Sequence, residues 1–361
     1  MHPVFVPKRV VVEKTKIDAP VVANIMKNVP GIEVEMVERM PISPLYDPGS
    51  IEIVDFKGDL LRACPGTRRY ICCGYKILHF GLQCSVGCTY CILQAYYNTP
   101  NLRLFANWTQ MCEDVRNKVS MNPDVFFRVG TGEFTDSLLL DPYTEFSSVI
   151  VPLFSEFQNA ILELKTKTHH IKNLEKQPHC GRTIVSWSMN SLPVVRKEEG
   201  FAVSIEQRLQ AAKTCESWGY RLGFHFDPII FYQGWEEDYK LIVDKIFKTL
   251  GSSRIVWISL GCFRFMPSLK SFIQSKYPRS SIVYGEFVPG LDGKMRYFKK
   301  IRVEIYRKMY RWISSYNPGV CVYLCMEGRD VWKEALGFTP EEKGGLSAML
   351  DGAAKEKCGM D

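Results

Sequence analysis

The chain has 361 residues, 46% hydrophobic and 24% charged, ordinary values for a globular protein long enough to bury a sizeable core. No run reaches the roughly 18 consecutive apolar residues of a membrane span, and the opening "MHPVFVPKRVVVEK" has no secretory apolar core or cleavage site, so a cytoplasmic protein without a membrane partner is expected. Thirteen cysteines in such a chain read as buried, catalytic or metal-bound thiols rather than disulfides, and a net charge of +7 excludes a strongly acidic protein.

Residues 7–38 read as strand ("RVVVE"), helix ("PVVANIMKN") and strand ("GIEVEMVE"), a small α/β unit. The Pro-rich "RMPISPLYDPGS" reads as a connection. An N-terminal extension over residues 1–75 is expected, its end carrying Cys64, Cys72 and Cys73 in "CPGTRRYICCGY". From residue 76 the pattern alternates. Strand-like runs are "KILHF", "VFFRVG", "AILELKTK", "TIVSWSMN", "RLGFHFDPII" and "RIVWISLGCFRF", with helical patterns between most of them. In "SIEQRLQAAKTCESWGY", Ser204 and Gln207 form a capping-box signature, Ile205, Leu209 and Ala212 share a face, and Gly219 fits the stop. Six β/α alternations over residues 76–266 predict a parallel sheet, open or curled into a partial barrel. Chemistry in such folds gathers at the C-terminal ends of the strands.

Residues 267–361 differ. Between Lys294 and Arg311 lie eight Lys or Arg and one Glu, a positive stripe suited to a polyanion. "PGLDGKMRYF" has hairpin turn chemistry. Phe298, Ile301, Ile305, Met309 and Trp312 fall at helical spacing and are expected to face the core, with Tyr297 outside. A strand-like "GVCVYLC" follows, and the polar tail from Glu341 is expected to be mobile.

"GLQCSVGCTYC" places Cys84, Cys88 and Cys91 in eight residues directly after the first strand of the β/α series. Four cysteines normally ligate a [4Fe–4S] cluster, and three leave one iron open. Zinc, the alternative alongside purely structural thiols, needs a fourth His or Cys. The spacing Cys-x₃-Cys-x₂-Cys resembles the signature of radical S-adenosylmethionine (SAM) enzymes. In these the open iron binds the amino and carboxylate groups of SAM, and an electron from the cluster releases a 5′-deoxyadenosyl radical.

The ordered segments "FVPKRVVVE", "GCTYCILQ", "LKTKTHH", "VSWSMNS", "GYRLGF…PIIFYQGWEEDY" and "FRF" are similar to the spore photoproduct lyase family over most of the chain. That resemblance implies an α/β fold, a partial (β/α)₆ radical SAM barrel with a small N-terminal α/β unit and a basic C-terminal region. It implies one [4Fe–4S] cluster with three Cys ligands, S-adenosyl-L-methionine, and a reductant such as flavodoxin or ferredoxin. The substrate it implies is DNA, in which a methylene-bridged thymine dimer is reversed by hydrogen abstraction. Carried over residue by residue, Cys84, Cys88 and Cys91 hold the cluster and Tyr90 lies near SAM. Lys167 matches a SAM-carboxylate contact, and Ser188 and Asn190 match polar contacts at the end of the fourth barrel strand.

Two positions depart from that family. Glu133 stands where the lyases have a hydrogen-donating cysteine, and Ile92 where they have a relay tyrosine. No Cys occurs between Cys112 and Cys180, so either a donor comes from elsewhere, Cys262, Cys321 or Cys325 being candidates, or the chemistry differs. "GTGE" instead resembles the Gly-Gly-Glu-like turn that contacts SAM in radical SAM enzymes, with Glu133 as the contact and Thr135 and Asp136 as neighbours. Alternation puts His225 and Asp227 on one side of a strand end, where Asp227 is expected to touch SAM or substrate. Arg264 is read as a phosphate contact or an ion pair, and His169 and His170 as a strand end. A second cluster drawn from Cys64, Cys72, Cys73, Cys321 and Cys325 is also open. Two alternatives stay beside lesion repair: radical chemistry on RNA, a peptide or a metabolite, and a non-catalytic nucleic-acid-binding protein with a vestigial cluster.

Overall fold

The computed structural model describes residues 5–41, 46–67, 69–97 and 99–360. The connection expected after residue 38 therefore lies partly, at 42–45, outside the described residues, as do Met1 to Val4 of the opening and the last residue of the tail.

β1 (Arg9–Glu13), α1 (Pro20–Asn28), β2 (Glu33–Val37) and β3 (Ser50–Val54) form the expected N-terminal unit. Pro20 opens α1, where its missing N–H costs nothing. Next come β4 (Leu61–Ala63), β5 (Lys76–Leu78), β6 (Gly81–Leu82), α2 (Leu93–Tyr96), β7 (Leu102–Phe105) and α3 (Trp108–Ser120). The chain crosses the boundary expected at residue 75 in both directions. β6 and β7 complete a five-stranded sheet ordered β2-β1-β3-β7-β6, whereas β4 joins the second sheet.

That second sheet carries the β/α alternation. Its strands alternate with helices as β8 (Phe127–Gly130), α4 (Asp141–Thr144), α5 (Ser147–Ser155), β9 (Ala160–Thr166), β10 (Thr183–Ser188), α6 (Leu192–Glu198), α7 (Ile205–Ser217), β11 (Arg221–Ile229), α8 (Trp235–Thr249) and β12 (Ile255–Cys262). The C-terminal region adds β13 (Arg264–Phe265), α9 (Pro267–Lys276), β14 (Phe287–Pro289), β15 (Met295–Tyr297), α10 (Lys299–Tyr316), β16 (Cys321–Leu324), α11 (Arg329–Leu336) and α12 (Leu346–Cys358). The sheet order is β16-β12-β11-β10-β9-β8-β5-β4. Every pair from β5 to β16 is parallel, and only β4 runs antiparallel. This is the partial (β/α)₆ barrel: β5, β8, β9, β10, β11 and β12 are the six expected strands, and β4 and β16 extend its edges. Strand β10 is buried along its whole length, as a parallel strand covered on both faces must be. The capping box of Ser204 and Gln207 forms at the start of α7, and Gly219 takes the positive φ that lets the chain leave that helix.

Two segments close the barrel. Residues 64–67 and 69–75 bridge its open edge, where the Ile71 N–H donates to Glu327 O at 3.1 Å and Thr67 Oγ1 lies 2.8 Å from Met326 Sδ. The polar tail, expected to be mobile, is instead the ordered helix α12, with Leu346, Leu350, Ala354 and Cys358 buried on one face. It covers the N-terminal ends of the strands, where Asp351 pairs with Arg128 at 2.5 Å and Arg182 donates to Cys358 O at 3.1 Å. Composition made this segment look solvated, but buried arginines on β8 and just before β10 supply its partners.

The basic window also departs from expectation. Hairpin β14–β15 forms as predicted, yet Tyr297 is buried and its hydroxyl accepts from Phe231 N at 3.1 Å. The core stripe of α10 is Val303, Ile305, Tyr306, Met309 and Ile313, with Phe298 exposed at the cap. Most of the positive charge is spent internally. Lys294 and Arg296 pair with Asp292, Lys299 with Asp330 and Glu334, Arg302 with Glu327, and Lys308 with Glu236 and Glu304. Among the described residues no helix is long and apolar enough to cross a membrane.

Candidate functional site

The C-terminal strand ends surround one cavity of about 340 Å³. Nine of the ten expected site residues line it: Cys84, Cys88, Cys91, Tyr90, Glu133, Thr135, Lys167, Ser188 and Asp227. Asn190 does not. Its amide donates to Pro228 O at 3.1 Å while its carbonyl oxygen accepts from Ser191 N and the Tyr239 hydroxyl. It ties β10 to β11 instead of facing a ligand.

The cysteine loop is held by two consecutive carboxylates at the end of α6. Thr89 N donates to Glu198 O at 2.8 Å, and the hydroxyls of Thr89 and Ser280 both donate to the Glu198 carboxylate. The Tyr90 hydroxyl donates to Glu199, whose other oxygen accepts from Arg208 at 2.5 Å. Arg208 is fully buried and also donates to Ser188 O at 2.7 Å, so one guanidinium couples the cysteine loop to the end of β10. Tyr90 is thereby fixed, and its ring lies 5.9 Å below the Lys167 ammonium.

The three thiols share one environment. Burial pushes Cys88 up to about 12 and raises Cys84 and Cys91 as well, while Lys167 draws Cys88 and Cys91 back down. Iron would reverse the burial effect by taking the thiolates directly. Three thiols at the cavity wall, one buried and two partly buried, a neighbouring ammonium and room for a further ligand fit a [4Fe–4S] cluster with one open iron. For zinc, three or four donors must surround one point, and among the described residues no three His, Cys, Asp or Glu side chains do so.

The turn after β8 needs its glycines. A Cβ on Gly130 would lie 1.5 Å from the Tyr75 hydroxyl, and one on Gly132 would lie 2.8 Å from Lys165 Cβ. Glu133 then pairs with Lys165 at 2.5 Å. Asp136 supports the turn, accepting from Leu138 N, Leu139 N, Thr166 Oγ1 and Lys167 N at 2.7–3.0 Å. Asp227 forms a two-pronged pair with Arg264 at 3.1 and 3.2 Å, so Arg264, read as a phosphate or SAM-carboxylate contact or as a surface ion pair, stands in a partly buried ion pair that also lines the cavity. His170 Nδ1 meets Leu139 O at 3.1 Å.

Beneath these pairs lies a hub that the sequence reading missed. The buried Glu163 carboxylate meets Tyr75 Oη and His225 Nε2 at 2.8 Å, Trp257 Nε1 at 2.9 Å, and the Ser186 hydroxyl. Burial alone would raise its pKa, but His225 and Lys165 outweigh burial and hold it well below the carboxylate range. Burial likewise pushes Lys165 down, and Glu133 and Glu163 more than compensate, keeping it charged. A signal was present: in "AILELKTK", Glu163, Lys165 and Lys167 alternate onto one face of the strand. No comparable pattern marks Glu198, Glu199 or Arg208. Cys64, Cys72, Cys73 and Cys325 also line this cavity, whereas Cys262 and Cys321 do not.

The sequence model of the spore photoproduct lyase family matches residues 73–313. Among curated proteins, the spore photoproduct lyase of Bacillus subtilis strain 168 is 23% identical over 318 residues, covering 85% of this chain and 91% of that protein. The spore photoproduct lyase of Clostridium acetobutylicum is 22% identical, covering 81% and 87%. A solved spore photoproduct lyase variant with bound AdoMet and dinucleoside spore photoproduct superposes with a TM-score of 0.78 at 21% identity, covering 89% of this chain and all of that one. A spore photoproduct lyase complexed with dinucleoside spore photoproduct superposes with the same score at 22% identity.

Proposed function

This chain belongs to the spore photoproduct lyase family, and on that premise we propose that it is a radical SAM lyase that repairs the methylene-bridged thymine dimer of DNA. The observation that carries the reading is the gathering of Cys84, Cys88, Cys91, Glu133, Lys167 and Ser188 around one cavity at the strand ends, within the stretch the family spans.

Cys84, Cys88 and Cys91 would hold a [4Fe–4S] cluster. With cluster and SAM bound, one-electron reduction by a low-potential protein such as a flavodoxin or ferredoxin would supply the radical chemistry that abstracts hydrogen from the lesion. The residues of this chain bind and orient. Lys167, beside the cysteine loop, takes the SAM carboxylate. Glu133, braced by Lys165, takes the ammonium with its remaining acceptor capacity. Ser188 and Thr135 add polar contacts, and Tyr90 packs between loop and cofactor. The lesion enters from the side of Asp227 and Arg264. Hairpin β14–β15 and the exposed Lys300, Arg307 and Arg311 face the phosphates.

A second reading, radical chemistry on another substrate, is favoured by Glu133 and Ile92 standing where the lyases carry a cysteine and a tyrosine. Anaerobic turnover of reduced, reconstituted protein with dinucleoside spore photoproduct separates the two. Repaired thymines with SAM turnover support the lyase. Formation of 5′-deoxyadenosine without repair supports the other substrate.

A further inference from the structure

A bond-breaking reaction that starts by removing a hydrogen atom ends with a carbon radical on the product, and that radical must regain a hydrogen. The X–H bond that supplies it has to be weaker than the C–H bond formed. Among side chains a thiol meets this readily and a carboxylic acid does not. Glu133, ion-paired with Lys165, is therefore no donor, and neither Cys262 nor Cys321 reaches the cavity.

Four thiols outside the cysteine loop do reach it. Cys72 is exposed, and neighbouring Cys73 and Arg128 draw its pKa below the usual thiol range despite burial, which disfavours the S–H form that a donor needs. Cys73 lies next to it on the same bridging loop. Cys64 sits on the loop that bridges the barrel edge. Cys64 follows β4, but β4 runs antiparallel and ends beside Lys76, the first residue of β5, whereas Cys325 directly follows β16 at the C-terminal end of the parallel strands, its N–H donating to Leu260 O at 2.8 Å. Strand ends hold a side chain more firmly than loops do. Its Sγ accepts from Arg264 Nη2 at 3.5 Å, the guanidinium that also pairs with Asp227. Burial together with the Asp227 and Glu133 carboxylates keeps the thiol protonated, more than offsetting Arg264.

We propose that Cys325 is the hydrogen-atom donor of this lyase, returning hydrogen to the product radical within the cavity. The inference rests on the lyase reading above. In the step, a C–H bond forms on the product, the Cys325 S–H bond breaks, and a thiyl radical remains. One further electron from the same low-potential reductant and one proton, delivered through Asp227, restore the thiol.

The test compares wild-type, Cys325→Ser, Cys325→Ala and Cys64→Ser chains, each reconstituted, with dinucleoside spore photoproduct in deuterium oxide, where thiol protons exchange. Wild type and Cys64→Ser are expected to place one deuterium in the repaired methyl group. In both Cys325 variants repaired product falls by at least ~10-fold while 5′-deoxyadenosine formation stays within ~3-fold. Independently of turnover, the dinucleoside is expected to slow alkylation of Cys325 in protein without cluster. Equal deuterated yield from both Cys325 variants, loss in Cys64→Ser instead, or no protection of Cys325 overturns the proposal. If wild type itself forms 5′-deoxyadenosine without repair, the lyase reading fails first and takes this inference with it.

Discussion

Arg208→Met removes a guanidinium but keeps most of its apolar volume, so the change isolates charge. Arg208 is fully buried and donates to Glu199 at 2.5 Å, Ser188 O at 2.7 Å and Val203 O at 3.0 Å. Breaking one side of a buried pair costs ~3–5 kcal/mol, because the other charge stays behind without compensation. Burial alone would raise Glu199, whereas Arg208, Lys167 and the Tyr90 hydroxyl lower it below 4.5. A depressed carboxylate contributes stability above its unfolded pKa and loses it as pH falls through the folded value. The variant should therefore be ~3–5 kcal/mol less stable at neutral pH, and the gap should narrow below about pH 4.5, as Glu199 takes up a proton. Reversible urea unfolding followed by the fluorescence of buried Trp187 reads both numbers. Adding Glu199→Gln to the variant should recover part of the loss, since the two changes share one interaction. A neutral-pH penalty under ~1 kcal/mol, or one that does not depend on pH, would refute the view that this guanidinium anchors the cysteine loop.

Gly130→Ala drives a methyl group into the Tyr75 hydroxyl and is expected to cost ~1–3 kcal/mol in the same unfolding assay. Asp227→Asn leaves Arg264 partly buried without its carboxylate and should cost about 2 kcal/mol at neutral pH. Burial alone would raise Asp227, but Arg264 lowers it below 3.8, so the wild-type advantage fades as pH falls through that lower value, and a constant gap down to acid pH would be the wrong result. Cys88→Ala should lose most of the iron taken up on anaerobic reconstitution while retaining affinity for DNA, measured by iron assay and filter binding. Cys72, exposed and with its pKa drawn below the usual thiol range by Cys73 and Arg128, should be the first cysteine labelled by iodoacetamide near neutral pH in peptide mapping.

Local pattern made much of the fold legible. The capping box of α7, the six barrel strands and the helix over Pro20–Asn28 follow from residues close in sequence, where hydrogen bonds and apolar periodicity are local quantities. The cluster loop was legible for the same reason, since three ligands from one short segment need no knowledge of the rest of the chain. What misled was composition without partners. The tail after Glu341 is polar on average, yet Arg128 and Arg182 dock it. The window from Lys294 to Arg311 is basic on average, yet acidic residues as far away as Glu236 and Asp330 absorb most of it.

The sequence by itself determined the barrel class, the cysteine loop and the side of the strands on which chemistry would gather, because each is written in spacing along a few residues. Only the tertiary structure decided that Glu163 binds four donors from four strands or strand approaches, that Arg208 joins Ser188 to Tyr90 through Glu199, that Asn190 turns away from the cavity, and that Cys325 faces it. Those outcomes depend on which side chains meet across tens to hundreds of residues. Burial then sets their energies: a charge or donor inside the barrel must find its partner there, and no local pattern specifies which one.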